Sequence, residues 1–344
     1  MDETPRITSK LSPANAVFDL EQEGLKALWR AELGHIRAGR LEQIHPTGPV
    51  VVAETPEGEI HVLEAETGRW VGVQKLRYGL SCPPVAADGG LYYVHKGGLF
   101  DWDLEAGEDT RVYEPPFAVS EAPVPTDGDL ILAGAEGSLA RWTPGTSKAM
   151  WRTTAWGTLN GRPVLSGDKM LVSAGEVASV AIEDGEKLWY WKPEEPGVVT
   201  TNAATDGSLV FVGDNRGHLY SVGVENGEQK GRKFLNAPLT GEIELLGDGM
   251  LVFLNTPEAV FLTVGAEPEV QWRVPGAQRL LASGGGVGYV LTEDGSVAAI
   301  ALDRGEELWR EPLPEGCVVA GNSEEPVFYV GNAQGTVVAF QQLD

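Results

Sequence analysis

The chain has 344 residues, 42% of them hydrophobic, and a formal charge of −24 at pH 7. A surface this acidic repels phosphate backbones and anionic headgroups, which disfavours nucleic acid and bare membrane as partners, and no stretch approaches the roughly 20 apolar residues of a membrane span. Cys82 and Cys317 are the only cysteines, too few for a disulfide framework.

Residues 1–22 carry Asp2, Glu3, Arg6, Lys10, Asp19 and Glu21 without an apolar run. They read as a flexible tail ahead of one domain spanning 23–344, and they lack the hydrophobic region of a secretory signal. Taken as written, the chain is expected to be cytoplasmic; a leader removed upstream would place it in the periplasm or cell envelope.

From residue 58 onward a glycine recurs at Gly58, Gly97, Gly137, Gly175, Gly217, Gly295 and Gly335, with Pro257 in the one gap. The spacing of about forty residues marks a supersecondary unit that must stack on its neighbours to bury its apolar faces. Two residues after each marker stands an apolar residue (Ile60, Leu99, Leu139, Val177, Leu219, Ala259, Val297, Val337), and five after it another (Leu63, Trp102, Trp142, Val180, Val222, Leu262, Ile300, Phe340). A second apolar run precedes the marker, as at Val50–Val52 and Leu91–Val94. Short apolar runs bounded by Gly, Asp and Asn are strands, and the glycine between them is a hairpin turn. An earlier turn (Asp88-Gly89, Asp127-Gly128, Asp206-Gly207, Asp248-Gly249) and a later one (Gly68, Gly107, Gly145, Gly185, Gly227, Gly265, Gly305) make three turns and four strands per unit. Eight such units predict an all-β, eight-bladed propeller of four-stranded antiparallel blades. The last unit stops after its third strand, while Gly24 to Arg30 resembles the fourth strand at Gly305 to Arg310. Residues 25 to 32 are therefore expected to complete the C-terminal blade and close the ring.

A tryptophan follows the later turn at Trp151, Trp189, Trp272 and Trp309, with Trp29 in the N-terminal copy; the run LEAETGRW around Gly68 is a further copy, and at Gly231 the tryptophan is missing. A flat side chain there can fill the wedge between blades and give its indole N–H to a backbone acceptor. Trp156 and Trp191 fall outside the column and are looser candidates for a contact surface. Isolated Gly-His and Trp-Asp pairs fit the WD type poorly. The chain instead resembles the tryptophan-docking, pyrroloquinoline-quinone (PQQ)-like propeller family over roughly residues 24–344. That resemblance implies either a non-catalytic scaffold of the BamB type, binding other proteins through its loop rims, or a quinoprotein that holds PQQ with calcium. A regulatory partner of a signalling protein is a third reading.

No catalytic or metal constellation is legible. The five histidines share no zinc-type spacing, and the run Asp101-Trp102-Asp103 lacks the glycine and closing glutamate of a calcium loop. The quinone enzymes are recognised partly by adjacent cysteines, which Cys82 and Cys317 are not. Segments leading from blade to blade converge on the channel and carry Arg37, Ser120, Glu121, Asn160, Arg162, Thr201, Asn202, Glu242, Gln278 and Arg279. Of these, Arg37, Arg162, Asn202 and Arg279 are the candidates for holding a carboxylated ligand such as PQQ; a hydrated polar funnel without ligand is the favoured explanation. The expectation is a monomer with protein partners, no catalytic residues, no metal and no cofactor, PQQ with calcium being the alternative.

Overall fold

Every glycine of the forty-residue series sits in the left-handed region, with φ between 74° and 89° from Gly58 to Gly335. A side chain there is strained, so the turn dictates the residue. In a computed structural model, which describes residues 20, 25–33, 41–154, 157–322 and 325–342, these glycines close the turns between the second and third strands of eight four-stranded antiparallel sheets. Pro257 occupies the same turn in the sixth blade, between strands Gly249–Leu254 and Glu258–Thr263.

Blades one to seven run in chain order over residues 43–75, 85–113, 124–154, 164–191, 204–234, 239–275 and 277–312. The eighth is composite. Strands β30 (Val318–Asn322), β31 (Val327–Gly331) and β32 (Thr336–Gln342) come from the C-terminal end, and β1 (Leu25–Glu32) supplies the fourth. Strand β1 pairs antiparallel with β32 from Leu25↔Gln342 to Glu32↔Thr336. Beyond the ladder, the Leu33 amide donates to the Gly335 carbonyl at 3.0 Å and the Thr336 hydroxyl to Glu32 at 2.9 Å. The ring thus closes as the sequence predicts.

Middle strands such as 50–54, 129–133 and 327–331 are buried at every position. Their two faces are covered by the blades on either side, which explains why they read as continuous apolar runs rather than alternating ones. The core is accordingly divided into eight clusters, one per blade interface. Leu20, within the segment expected to be a tail, is 1% exposed and belongs to the cluster between blades seven and eight; the rest of 1–19 lies outside the described residues.

Candidate functional site

The outer strands show what the tryptophans do. One position of each outer strand pairs with the fourth residue beyond the turn marker: Gly72, Arg111, Trp151, Trp189, Gly231, Trp272, Trp309 and, from β1, Trp29. In seven of the eight pairings a bulge falls beside this position, the pairing of strand 151–154 being regular. Such an extra residue re-aims the neighbouring side chain. Four indoles donate across the blade boundary: Trp29 to Ala65, Trp151 to Ile182, Trp189 to Val224 and Trp272 to Leu302, at 2.7, 2.9, 2.8 and 2.9 Å. Each ring lies on the glycine of the receiving turn, so that a Cβ on Gly68, Gly185, Gly227 or Gly305 would approach it to between 2.4 and 2.7 Å. At these four turns the previous blade's tryptophan leaves no room for a side chain; at Gly107 and Gly265 no ring lies near among the described residues, and it is the positive φ of 71° and 155° that favours glycine.

Trp309 lacks such a turn to dock on, because the eighth blade breaks between β32 and β1. It packs instead beside Tyr289, centroids 5.9 Å apart, in the cluster containing Leu20, Leu25 and Phe328. Trp70 is out of register by two residues and is 54% exposed, so the copy around Gly68 supplies a docking glycine but no docking tryptophan. At its place Gly72 admits Trp102 from the next blade, whose ring a Cβ would meet at 2.7 Å. At Gly231, another of the three positions without tryptophan, the Ala266 carbonyl of blade six comes so close that a Cβ would overlap it, and the Ser221 hydroxyl donates to that carbonyl in place of an indole. Trp191 packs against Tyr220 at 4.9 Å between centroids; Trp156 lies outside the described residues.

Two of the polar channel side chains, Asn160 and Arg279, tie blades together. Asn160 donates to Val199 at 2.9 Å; beside it the Ser173 hydroxyl donates to Thr201 at 2.7 Å, the Thr200 hydroxyl to Leu239 at 2.7 Å, and the backbone amide of Asn202 to Gly241 at 3.3 Å. Arg279 donates to the Val319 carbonyl. Asn202 is buried, its side chain lying where a Cβ on Gly161 would touch it. Arg279 lines a cavity of about 370 Å³ with Gln278, Glu242 and Glu244. Although water reaches its side chain, surrounding protein lowers the guanidinium pKa, with Glu242 opposing. Neither Arg162, which is exposed, nor Asn202 lines that cavity. Arg37 lies outside the described residues.

Two further clefts open on the face bearing the second-to-third turns and the blade-to-blade connections. One, of about 340 Å³, lies between blades one and two and is lined by Glu42, His45, Glu54, Tyr78, Cys82 and Ser120 among others; the other, of about 780 Å³, spans blades seven, eight and one and includes Arg279, Asp294 and Glu315. They share Glu42, Gln43, His45 and Pro83, forming one continuous rim. Sequence reasoning missed Glu42, His45, Glu54 and Tyr78. They lie on a strand, its neighbour and a connection up to 36 residues apart, and nothing local announces that the ring brings them together.

Residues 102–251 match the family described as "Outer membrane protein assembly factor BamB". A curated protein of that description from Shewanella oneidensis is 21% identical over 242 residues, which are 62% of this chain and 61% of the relative. The chain is similar to the BamB type of PQQ-like propeller. The chain thus matches less than two thirds of that curated relative's length. Among solved structures, BamB from Moraxella catarrhalis superposes with a TM-score of 0.73 at 14% identity, covering 92% of this chain and 97% of that one. A quinohemoprotein alcohol dehydrogenase from Pseudomonas putida HK5 gives 0.66 at 13% identity, covering 93% and 76%. The computationally designed Ika8 protein gives 0.71 at 14%, covering 92% and 99%. Identities this low establish a shared fold and nothing finer.

The described residues do not suit PQQ with calcium. Among the described residues no three His, Cys, Asp or Glu side chains converge as a metal would need. The two described candidate arginines line no common cavity. Cys82 and Cys317 are both free, in the connections into blades two and eight, and burial pushes both thiols up, Cys82 to about 12.

Proposed function

We propose that the protein is a non-catalytic scaffold that binds other proteins through its loop rims, in the manner suggested by its likeness to BamB. The observation that carries this reading is how the funnel polar groups are used: the side chains of Asn160, Thr200 and Arg279 and the backbone amide of Asn202 make inter-blade hydrogen bonds, while open clefts lie on the rims, two of them joined on the face of the second-to-third turns and one of about 560 Å³ between blades eight and one on the other face. A ligand in the channel would have to displace bonds that hold the ring together, whereas the rim is open. By its printed description the relative is an outer membrane protein assembly factor. We take the partner of this chain to belong to the same process, which favours the cell envelope over the cytoplasm.

Affinity purification from gently cross-linked cells, combined with fractionation, tests this. Co-purification of outer membrane assembly proteins in the envelope fraction is the expected result; residence in the cytosol with a kinase or another signalling protein would redirect it. Titration with PQQ and calcium tests the alternative, and a saturable change in quinone absorbance would overturn the non-catalytic reading.

A further inference from the structure

The cleft between blades one and two is lined by two carboxylates, Glu42 and Glu54. Glu54 is 6% exposed, and its Oε1 accepts the Leu80 amide at 2.8 Å. Among the described residues its Oε2 meets His45 Nε2 alone, at a long 3.5 Å, which leaves acceptor capacity on a buried carboxylate that faces the cleft. Glu42 stands exposed at the same opening. Glu121, next to the lining residue Ser120, is partly buried; burial raises its carboxyl pKa and only the Ser120 hydroxyl opposes the shift. Among the described residues no lysine or arginine lines the cleft itself, Lys96 and Arg77 standing at its mouth on the Tyr78 ring.

The loop that forms one wall is rigidly placed. Leu80 is tied to Glu54, and the Gly79 carbonyl lies 2.8 Å from His95 Nδ1, which fixes that nitrogen as a donor. Gly79 has φ of 69°, and a Cβ there would lie 2.2 Å from Glu54 Oε1, so only glycine lets the loop approach the carboxylate. This clasp presents Tyr78 at the mouth, 69% exposed. Its ring already attracts two cations of the protein itself, Lys96 Nζ at 4.6 Å and Arg77 at 5.3 Å from the centroid. Both are exposed and mobile by their chemistry, long flexible chains that an incoming cation can displace at little cost.

We propose that this cleft receives the guanidinium of an arginine side chain presented by a partner protein. The planar fork donates to two carboxylate oxygens at once and stacks on an aromatic face, which matches Glu54 Oε2, Glu42 and Tyr78. A volume of about 340 Å³ is ample for one such side chain. A divalent metal does not fit, since no three ligating side chains converge among the described residues. The partner's identity as a protein rests on the scaffold reading; the guanidinium site does not.

The test uses the full-length protein and the probe acetyl-Gly-Arg-Gly-amide, followed by NMR shifts and calorimetry. Saturable binding with Kd on the order of millimolar is expected, weaker in high salt, weakened about tenfold by E54Q and severalfold by E42Q. The citrulline peptide, of the same shape without the charge, should not bind, and the lysine peptide should bind more weakly. Because Glu54 also holds the loop, the exposed Glu42 and Y78A keep the test independent of folding. Absence of saturation up to roughly 20 mM, or binding unchanged in both E42Q and Y78A, overturns the site. Failure of the scaffold reading looks different: the peptide binds, yet no protein is cross-linked from a photoreactive residue at position 78 in cells. An adduct at position 78 without peptide binding would sink the guanidinium site and spare the scaffold.

Discussion

A buried histidine can act as a stability sensor without any functional role, and His61 is such a group. It is 6% exposed, neither ring nitrogen has a hydrogen-bond partner, and burial lowers its pKa while Glu59 pulls the other way. In the unfolded chain it takes a proton near pH 6.5; in the native blade it remains neutral to lower pH. The unfolded state therefore binds more protons below about 6.5, and stability falls on acidification from there towards the native pKa, at no more than about 1.4 kcal/mol per pH unit. Urea midpoints measured between pH 8 and 5 should show this decline, and H61L should flatten it; an unchanged slope in H61L would assign the effect elsewhere. Docking tryptophans behave differently. W189A removes a ring wedged on Gly227 and leaves the Val224 carbonyl unpaired, for an expected loss of about 3–5 kcal/mol. W70A, on the solvent side, should cost no more than about 0.5 kcal/mol. Thermal unfolding of the two variants distinguishes the register seen here from one in which Trp70 docks. The sequence could not separate them: Trp70 follows its glycine by two residues and Trp189 by four, and only the bulged pairing shows which one points into the wedge.

The forty-residue unit was legible because its turns need glycine and its middle strands are apolar on both faces, constraints repeated eight times. What stayed hidden were substitutions that keep the unit while changing its chemistry. Gly231 looks like a lost tryptophan, yet it is the residue that allows the Ala266 carbonyl to approach and bond to Ser221. A G231A variant should be markedly destabilised although alanine is otherwise a good strand substitute for glycine; a Tm within a degree of wild type would show that the contact is relaxed in solution. Strand β1 is the other decisive element. Removing residues 1–32 exposes the edge of β32, whose Val337 and Ala339 are fully buried, and withdraws Trp29 from Ala65. An unpaired apolar edge invites association with another copy, so the truncated chain is expected to melt earlier and to aggregate on a sizing column.

For the whole molecule, closure decides what kind of function is available. Eight interfaces bury the strand faces, the composite eighth blade removes the free edges of an open array, and Asn160 and Arg279 of the funnel are drawn into bonds between neighbours. What remains for recognition is the rims, and one of them carries clefts that run from blade seven to blade two. The fold and its closure could be read from spacing alone, because they follow from periodic constraints. The rim could not, since its residues answer to a partner rather than to the blade. The same repeated fold is shared by the BamB from Moraxella catarrhalis and by a quinohemoprotein alcohol dehydrogenase, so architecture does not choose between binding and catalysis. The choice is made most directly by site-specific photocross-linking in the native cell, with a photoreactive residue at Tyr78 on the cleft rim and, as control, at Asp168 on the opposite face. The account predicts a discrete adduct with an outer membrane assembly protein from position 78 and none from position 168. Equal labelling from both faces, or no adduct from position 78, would contradict it.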